Sequence, residues 1–243
     1  MRVDVIVPVF RDNAALERLL AAPDGRRIPE RMRVVFGEAD PVGEALAERY
    51  GAAWSRAGRA GRACQMNCGA AKADGDVLLF LHADSLPPPG ACAAIAAAVR
   101  DGAVGGAFSR RFDAHSVFLR GTCRLADWRG RALGIFLGDQ GMFVRRDVFA
   151  RLGGFDERAR YEDLDLSLRL RKVGPVRLLP AVVRASGRRF TRRGVVRQTG
   201  ADFRDGLRFI LGRGRRSARD FRCVGGSGER PSRNNSPGGA SKQ

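Results

Sequence analysis

Apolar and polar positions along the first half of the chain fall into a rhythm of short β-branched runs and amphipathic stretches. Val3 to Phe10 (Val-Asp-Val-Ile-Val-Pro-Val-Phe) predicts a strand, and Asp12-Asn13 predicts a cap for a helix carrying Leu16, Leu19 and Leu20 on one side. The unit recurs. Arg33-Val34-Val35-Phe36 predicts a second strand, and Asp40-Pro41 supplies a cap and first-turn proline for a helix from Val42 to Tyr50, closed by Gly51. A third short strand, around Ala52 to Ser55, leads into Gly58-Arg59-Ala60-Gly61-Arg62, then a helix from Ala63 to Ala73 and a strand at Val77 to Leu81. Pro87-Pro88-Pro89-Gly90 starts a helix from Ala91 to Arg100, and Val104 to Arg111 reads as extended. Strands alternating with helices imply parallel strands joined by crossover helices: an α/β fold with a doubly wound sheet whose functional loops lie along one edge.

The second half is less regular. Residues 115 to 135 read as helical or irregular, Gly141 to Arg145 as a strand, Glu162 to Lys172 as a helix, and Val176 to Leu179 as the last core strand. From Arg213 the chain turns to Gly, Ser, Arg, Pro and Asn with a net charge of +6, a composition too polar to build a core. Residues 1–212 are therefore expected to form one domain and residues 213–243 a disordered basic tail.

Composition narrows the partners more than the fold. The 243 residues carry a formal charge of +18, almost all of it arginine, since Lys72, Lys172 and Lys242 are the only lysines. Such a surface attracts phosphates, nucleic acid or anionic lipid. Five cysteines without a C-x-x-C pair argue against a disulfide framework or a structural zinc and for a reducing cytoplasm; Cys64 and Cys68, one turn apart, read as small core residues. Met1-Arg2-Val3-Asp4 leads straight into strand sequence without signal-peptide character, and no apolar run approaches the roughly 20 residues of a bilayer span. The expected location is the cytoplasm.

Three constellations carry chemistry. Leu78-Leu79-Phe80-Leu81-His82-Ala83-Asp84 reads as a core strand ending in two polar groups, at the strand end where open α/β sheets bind ligands. Because burying an unpaired carboxylate is costly, Asp84 suits a divalent cation such as Mg or Mn bridging to substrate phosphates, with His82 as a neighbour or ribose contact; the alternative is a loop cap before Pro87. Tyr161-Glu162-Asp163-Leu164-Asp165 opens a helix with three acids, which the helix dipole alone would favour, yet the flexible Gly153-Gly154-Phe155 turn before it could project Glu162 or Asp163 as a general base. In the Gly58 to Arg62 loop, small residues expose backbone N–H groups between Arg59 and Arg62, a setting for diphosphate, although as a G-x-x-G it also resembles a KH-domain clamp. Asp139 in Gly138-Asp139-Gln140-Gly141 is a turn residue or a substrate contact, and His115 reads as a surface or loop residue.

Taken in order, these motifs resemble the family 2 glycosyltransferases, inverting enzymes of GT-A fold that use nucleotide-sugar donors. The resemblance rests on Val5-Ile6-Val7-Pro8-Val9-Phe10, Gly61-Arg62-Ala63 with Gln65-Met66-Asn67-x-Gly69-Ala70, Leu81-His82-Ala83-Asp84, Gly138-Asp139-Gln140-Gly141-x-Phe143, Gly153-Gly154-Phe155 and Glu162-Asp163-x-Asp165. It covers residues 1 to 212 and is closest to the bacterial subgroup called selenodomain-associated transferase 2. It implies a single GT-A-like domain with a Rossmann-like, mostly parallel sheet flanked by helices. It also implies Mg or Mn on Asp84, and Asp163 as the base with Glu162 beside it. Pro8, Phe10, Glu38, Arg59, Arg62, Gln65, Asn67, His82, Asp139 and Gln140 would then serve the donor side. One departure stands out: where the family places a base-reading acid after the second strand, this chain has Phe36, with Glu38 or Asp40 as substitutes.

The readings that compete with a transferase acting on a glycan, lipid or small-molecule acceptor are a nucleotide-sugar-binding relative without activity and a nucleic-acid-binding protein. At 7% aromatic residues not interleaved with the arginines, the chain lacks the stacking platforms of single-strand binders. A third reading, peripheral contact with an anionic membrane at the inner face, rests on Phe203, Leu207, Ile210 and Leu211 sharing one face among arginines; packing against the domain is the simpler alternative.

Overall fold

A computed structural model describes residues 1–22, 31–114, 116–187 and 204. His115, the Phe203 to Leu211 face and the tail from Arg213 lie outside the described residues, apart from Arg204. The chain order is β1 (Val3–Val9), α1 (Asn13–Leu20), β2 (Met32–Phe36), α2 (Pro41–Arg49), β3 (Ala53–Arg56), α3 (Arg62–Ala71), β4 (Val77–Phe80), β5 (Ser85–Leu86), α4 (Ala91–Arg100), β6 (Gly105–Phe112), α5 (Val117–Leu133), a 3-10 turn (Gly138–Gln140), β7 (Met142–Arg145), α6 (Arg146–Arg151), α7 (Glu162–Leu170) and β8 (Val176–Ala185). The strands form one eight-stranded sheet in the order β3-β2-β1-β4-β7-β6-β8-β5.

Strand parity divides the core. Val3, Val5, Val7 and Val9 of β1 pack with Leu16 and Leu19 of α1, Ala47 of α2 and Ile95 of α4. Ile6 points to the opposite face, where Ala63, Met66 and Ala70 of α3, Phe149 of α6 and Leu166 and Leu170 of α7 lie. Helices thus cover both faces, as a strand apolar on both sides requires.

The capping signals act as read. Asp12 accepts from the Ala15 N–H at 3.2 Å and Asp40 from the Gly43 N–H at 3.0 Å. Ser116 caps α5, and Gly134 closes it at φ +60°, so the ambiguous stretch resolves as helix.

The sheet is mostly parallel, as expected, with β1–β2, β1–β4, β2–β3 and β6–β8 paired in parallel. β7 runs antiparallel to β4 and β6, returning against β6 after α5 and the Gly138–Gln140 turn, and the short β5 runs antiparallel to β8. Two expectations need correction. The strand read as ending at Leu179 continues to Ala185, because Pro180 and Ala181 sit in a register break between Leu179 and Val182, where a missing N–H breaks no ladder. Asp84, expected as a buried carboxylate, is exposed: the chain leaves the sheet after Leu81, and a turn closed by Ser85 N–H on His82 O carries Asp84 outward.

Candidate active site

β1 and β4 pair in parallel with Ile6 opposite Phe80, so the residues that follow both strands emerge at the same sheet edge. Pro8 lies past this last pair, half-buried. Phe10, just beyond β1, is 47% exposed, and the guanidinium of Arg11 sits 5.1 Å from its ring. Arg11 takes the left-handed backbone region at φ 52° and bonds Glu38 at 2.6 Å, joining the ends of β1 and β2.

Arg62 begins α3 after Gly61, whose φ of 148° suits glycine and which offers no side chain to cap the helix, leaving its first N–H groups open to an anion. The Arg62 guanidinium donates to Glu162 and stands 3.4 Å from Nε2 of His82. Glu162 and Asp163 start α7, both buried. Asp163 Oδ1 accepts the Leu164 N–H and Oδ2 the Gly138 N–H, each at 2.7 Å. Two backbone donors fix this carboxylate, and each oxygen keeps a second lone pair for a substrate hydroxyl.

Arg62, His82, Gly138 and Asp163 close around a cavity of about 10 Å³ whose other walls are Met66, Phe80, Met142 and Phe155. Gly138 is required here: a Cβ would stand 2.8 Å from His82 Nε2 and 3.2 Å from Asp163 Oδ2. Burial, followed by the charge of Arg62, holds the His82 imidazole below its ordinary pKa, so it is neutral at physiological pH. Burial works against the Arg62 cation, but Asp163 and Glu162 outweigh it and leave its pKa raised.

On the far side, Asp139 is bound by Arg110, and Gln140 is fully buried, accepting from Arg129 at 3.0 Å and from the Leu137 N–H at 3.1 Å. Burial and then the neighbouring Arg110 lower the pKa of Arg129. Neither arginine was singled out from the sequence. The available signal was a basic residue inside the otherwise buried run Gly105 to Ser109-Arg110.

Other residues expected on the donor side bond to neighbouring elements. Gln65 is buried and its amide ties Val9 O to Val35 O, at 2.7 Å each, locking the end of β1 to β2. Asn67 accepts the Phe155 N–H and donates to Phe155 O, both at 2.9 Å. Arg169 adds bonds of 2.7 Å to Leu152 O and Gly154 O, so the Gly153-Gly154-Phe155 turn is a clamp rather than a flexible hinge. Arg59 pairs with Glu157 at the rim, an acid with no local motif to mark it. Phe36 is buried with its ring 6.2 Å from Trp54, facing the core, while Asp40 is occupied by the α2 cap and Asn13. Of the two substitutes for the missing acid, only Glu38 remains at the edge.

Among the described residues no group of three or more His, Cys, Asp or Glu could hold a metal alone. One exposed carboxylate at Asp84 matches ions that take one or two protein oxygens and complete their shell with substrate phosphates and water, which is the chemistry of Mg or Mn.

The uncapped N-terminus of α3 with Arg62, the His82 ring and the backbone-held carboxylate of Asp163 thus meet around one small cavity. Residues 47–152 match the model of Glycosyl transferase family 2. The family 2 match runs from α2 to the end of α6 and contains Arg62, Asp84 and Asp139, whereas Glu162 and Asp163 are brought in by the fold. Among solved structures, a mannosyltransferase, PcManGT from Pyrobaculum calidifontis in complex with GDP-Man and Mn2+, superposes with a TM-score of 0.61 at 21% identity over 75% of this chain. S. aureus TarS 1-349 in complex with UDP-GlcNAc gives 0.60 at 16% over 76%. At these identities the likeness shows the fold, a GT-A-like single α/β domain. The chain spans 56% and 58% of those two chains. No curated protein matches it.

Proposed function

We propose that this protein is an inverting glycosyltransferase that moves a sugar from a nucleotide-diphosphate donor to an acceptor hydroxyl, as in the selenodomain-associated subgroup its motifs resemble. The observation that carries the reading is Asp163, held by two backbone N–H groups across a small cavity from Arg62 and His82. The nucleotide sugars GDP-Man and UDP-GlcNAc held by the two superposed structures support a donor of this class.

The base lies against Phe10 at the rim formed with Arg11 and Glu38, a role that position 36 cannot serve. The diphosphate lies over the open N-terminus of α3, where Arg62 and Arg59 supply positive charge. His82, neutral, offers a nitrogen to the sugar or ribose hydroxyls, and Arg110 orients Asp139 toward the same space. Asp163 takes the proton of the acceptor hydroxyl as its oxygen forms the new bond to the anomeric carbon. The bond to the diphosphate oxygen breaks with its electron pair leaving on the nucleotide, and the configuration inverts. Asp84 would hold Mg or Mn, which as a Lewis acid stabilises charge on the leaving phosphates.

The test is a screen of nucleotide sugars with Mn against candidate acceptors, reading nucleotide release and the anomeric configuration of the product by NMR. Inverted product supports the mechanism. Retained configuration would sink it, and tight donor binding without turnover on any acceptor would favour the inactive binding relative.

A further inference from the structure

α5 has two unlike sides. Leu119, Cys123, Ala126 and Gly130, at spacings of four, three and four, are buried on one side. Opposite them run Val117, Gly121, Leu125, Trp128 and Ala132, of which Val117 is 75%, Leu125 52% and Trp128 58% exposed; Phe118 and Leu133 add exposed apolar surface beside the row. Arg120, Arg124 and Arg131 form an exposed row along one border. The helix contains a single acid, Asp127, and it is buried and taken by Arg111 at 3.0 Å. Arg111, Arg124, Asp127, Trp128, Arg131 and Ala132 together line a groove of about 530 Å³.

We propose that this outer face of α5 docks onto an anionic lipid bilayer, with Trp128, Leu125 and Val117 entering the headgroup boundary and Arg120, Arg124 and Arg131 taking the lipid phosphates. Charge complementarity selects this occupant: the arginine row has no acid of its own helix to satisfy it, and the chain as a whole carries +18. An apolar stripe with tryptophan edged by arginines is the signature of a helix lying in the interface plane. Among the described residues no helix is long and apolar enough to cross a membrane, so the contact is a surface one. From the inner side of the same helix Arg129 reaches Gln140 at 3.0 Å, which sets the candidate active site roughly one helix diameter, about 10–12 Å, from the docked surface. The docking face does not depend on the proposed reaction.

The test is co-sedimentation of the full chain with vesicles of phosphatidylcholine alone and of phosphatidylcholine with one-third phosphatidylglycerol. Two variants are compared with wild type: Leu125→Ser/Trp128→Ser, which keeps the charge, and Arg120→Gln/Arg124→Gln/Arg131→Gln, which keeps the apolar row. Wild type is expected to bind the anionic vesicles and each variant to bind about 10-fold or more weakly. Brominated lipid is expected to quench a tryptophan signal that Trp128→Phe removes, a readout on folded protein that decides the matter if a variant misfolds. Failure of wild type to bind, full binding by either folded variant, or absence of Trp128 quenching overturns the proposal. So does a dimer seen by light scattering without lipid that Leu125→Ser/Trp128→Ser dissociates, since the face would then join two copies of the chain.

Discussion

Asp163 combines burial with two backbone donors, so its carboxylate is oriented before any substrate arrives. Asp163→Asn preserves that shape and can still accept from Gly138 N–H, but it cannot take a proton. The expected outcome is a donor dissociation constant within a few-fold of wild type, measured by calorimetry, and a turnover reduced by about 10²–10⁴. Gly138→Ala makes a complementary case. Its methyl would stand 2.8 Å from His82 Nε2, so the ring or the turn must shift, and transfer rate is expected to fall while the melting temperature changes little. A fall in melting temperature as large as that of a core mutation would reassign Gly138 to the scaffold.

At the scale of elements, α3 carries the phosphate end of the site, and its seat on the sheet depends on Gly69. A Cβ there would lie 2.5 Å from Ile6 Cγ2 and 3.0 Å from Val35 Cγ2, so Gly69→Ala forces α3 off β1 and β2. Overpacking of this kind costs about 1–3 kcal/mol, to be read by denaturant unfolding. The opposite end of β1 is held by Asp4, which accepts from Asp74 N–H at 2.9 Å, Gly75 N–H at 2.7 Å and Arg31 Nε at 2.5 Å. Burial pushes the Asp4 carboxyl up, but Arg31 and the two backbone donors outweigh it and hold the pKa below its ordinary value. In the acid window the unfolded chain therefore binds more protons at this residue than the native one. Its stabilisation is present above the unfolded pKa of about 4 and is lost as pH falls through the lower folded value. Asp4→Asn is expected to be less stable at neutral pH and to lose less stability on acidification; an unchanged acid slope would rule Asp4 out as a contributor.

For the whole molecule, one sheet edge gathers groups from distant parts of the chain, Arg62 and Glu162 lying a hundred residues apart, and Asp84 is exposed at the end of the strand run that leads to it. Mn is expected to raise the melting temperature of the nucleotide-bound protein, and Asp84→Ala to abolish that metal-dependent part while leaving the shift from nucleotide alone. Survival of the metal effect in Asp84→Ala would remove this residue from the metal site. The α/β class, most element positions and the segments holding Arg62, Asp84, Asp139 and Asp163 were legible in the sequence, because strand alternation, Asp caps and left-handed glycines act within a few residues of where they are written. What was not legible depends on distant partners. Nothing local marks Gln65 as a tie between two strands, Arg110 and Arg129 as supports of Asp139 and Gln140, or Phe36 as a core ring, since each role is set by a neighbour across the sheet or on another helix. The same holds for the direction of β7 and the exposure of Asp84. The sequence by itself determined which chemistry was present; burial and pairing in the tertiary structure decided which of those groups face the cleft and which hold it open.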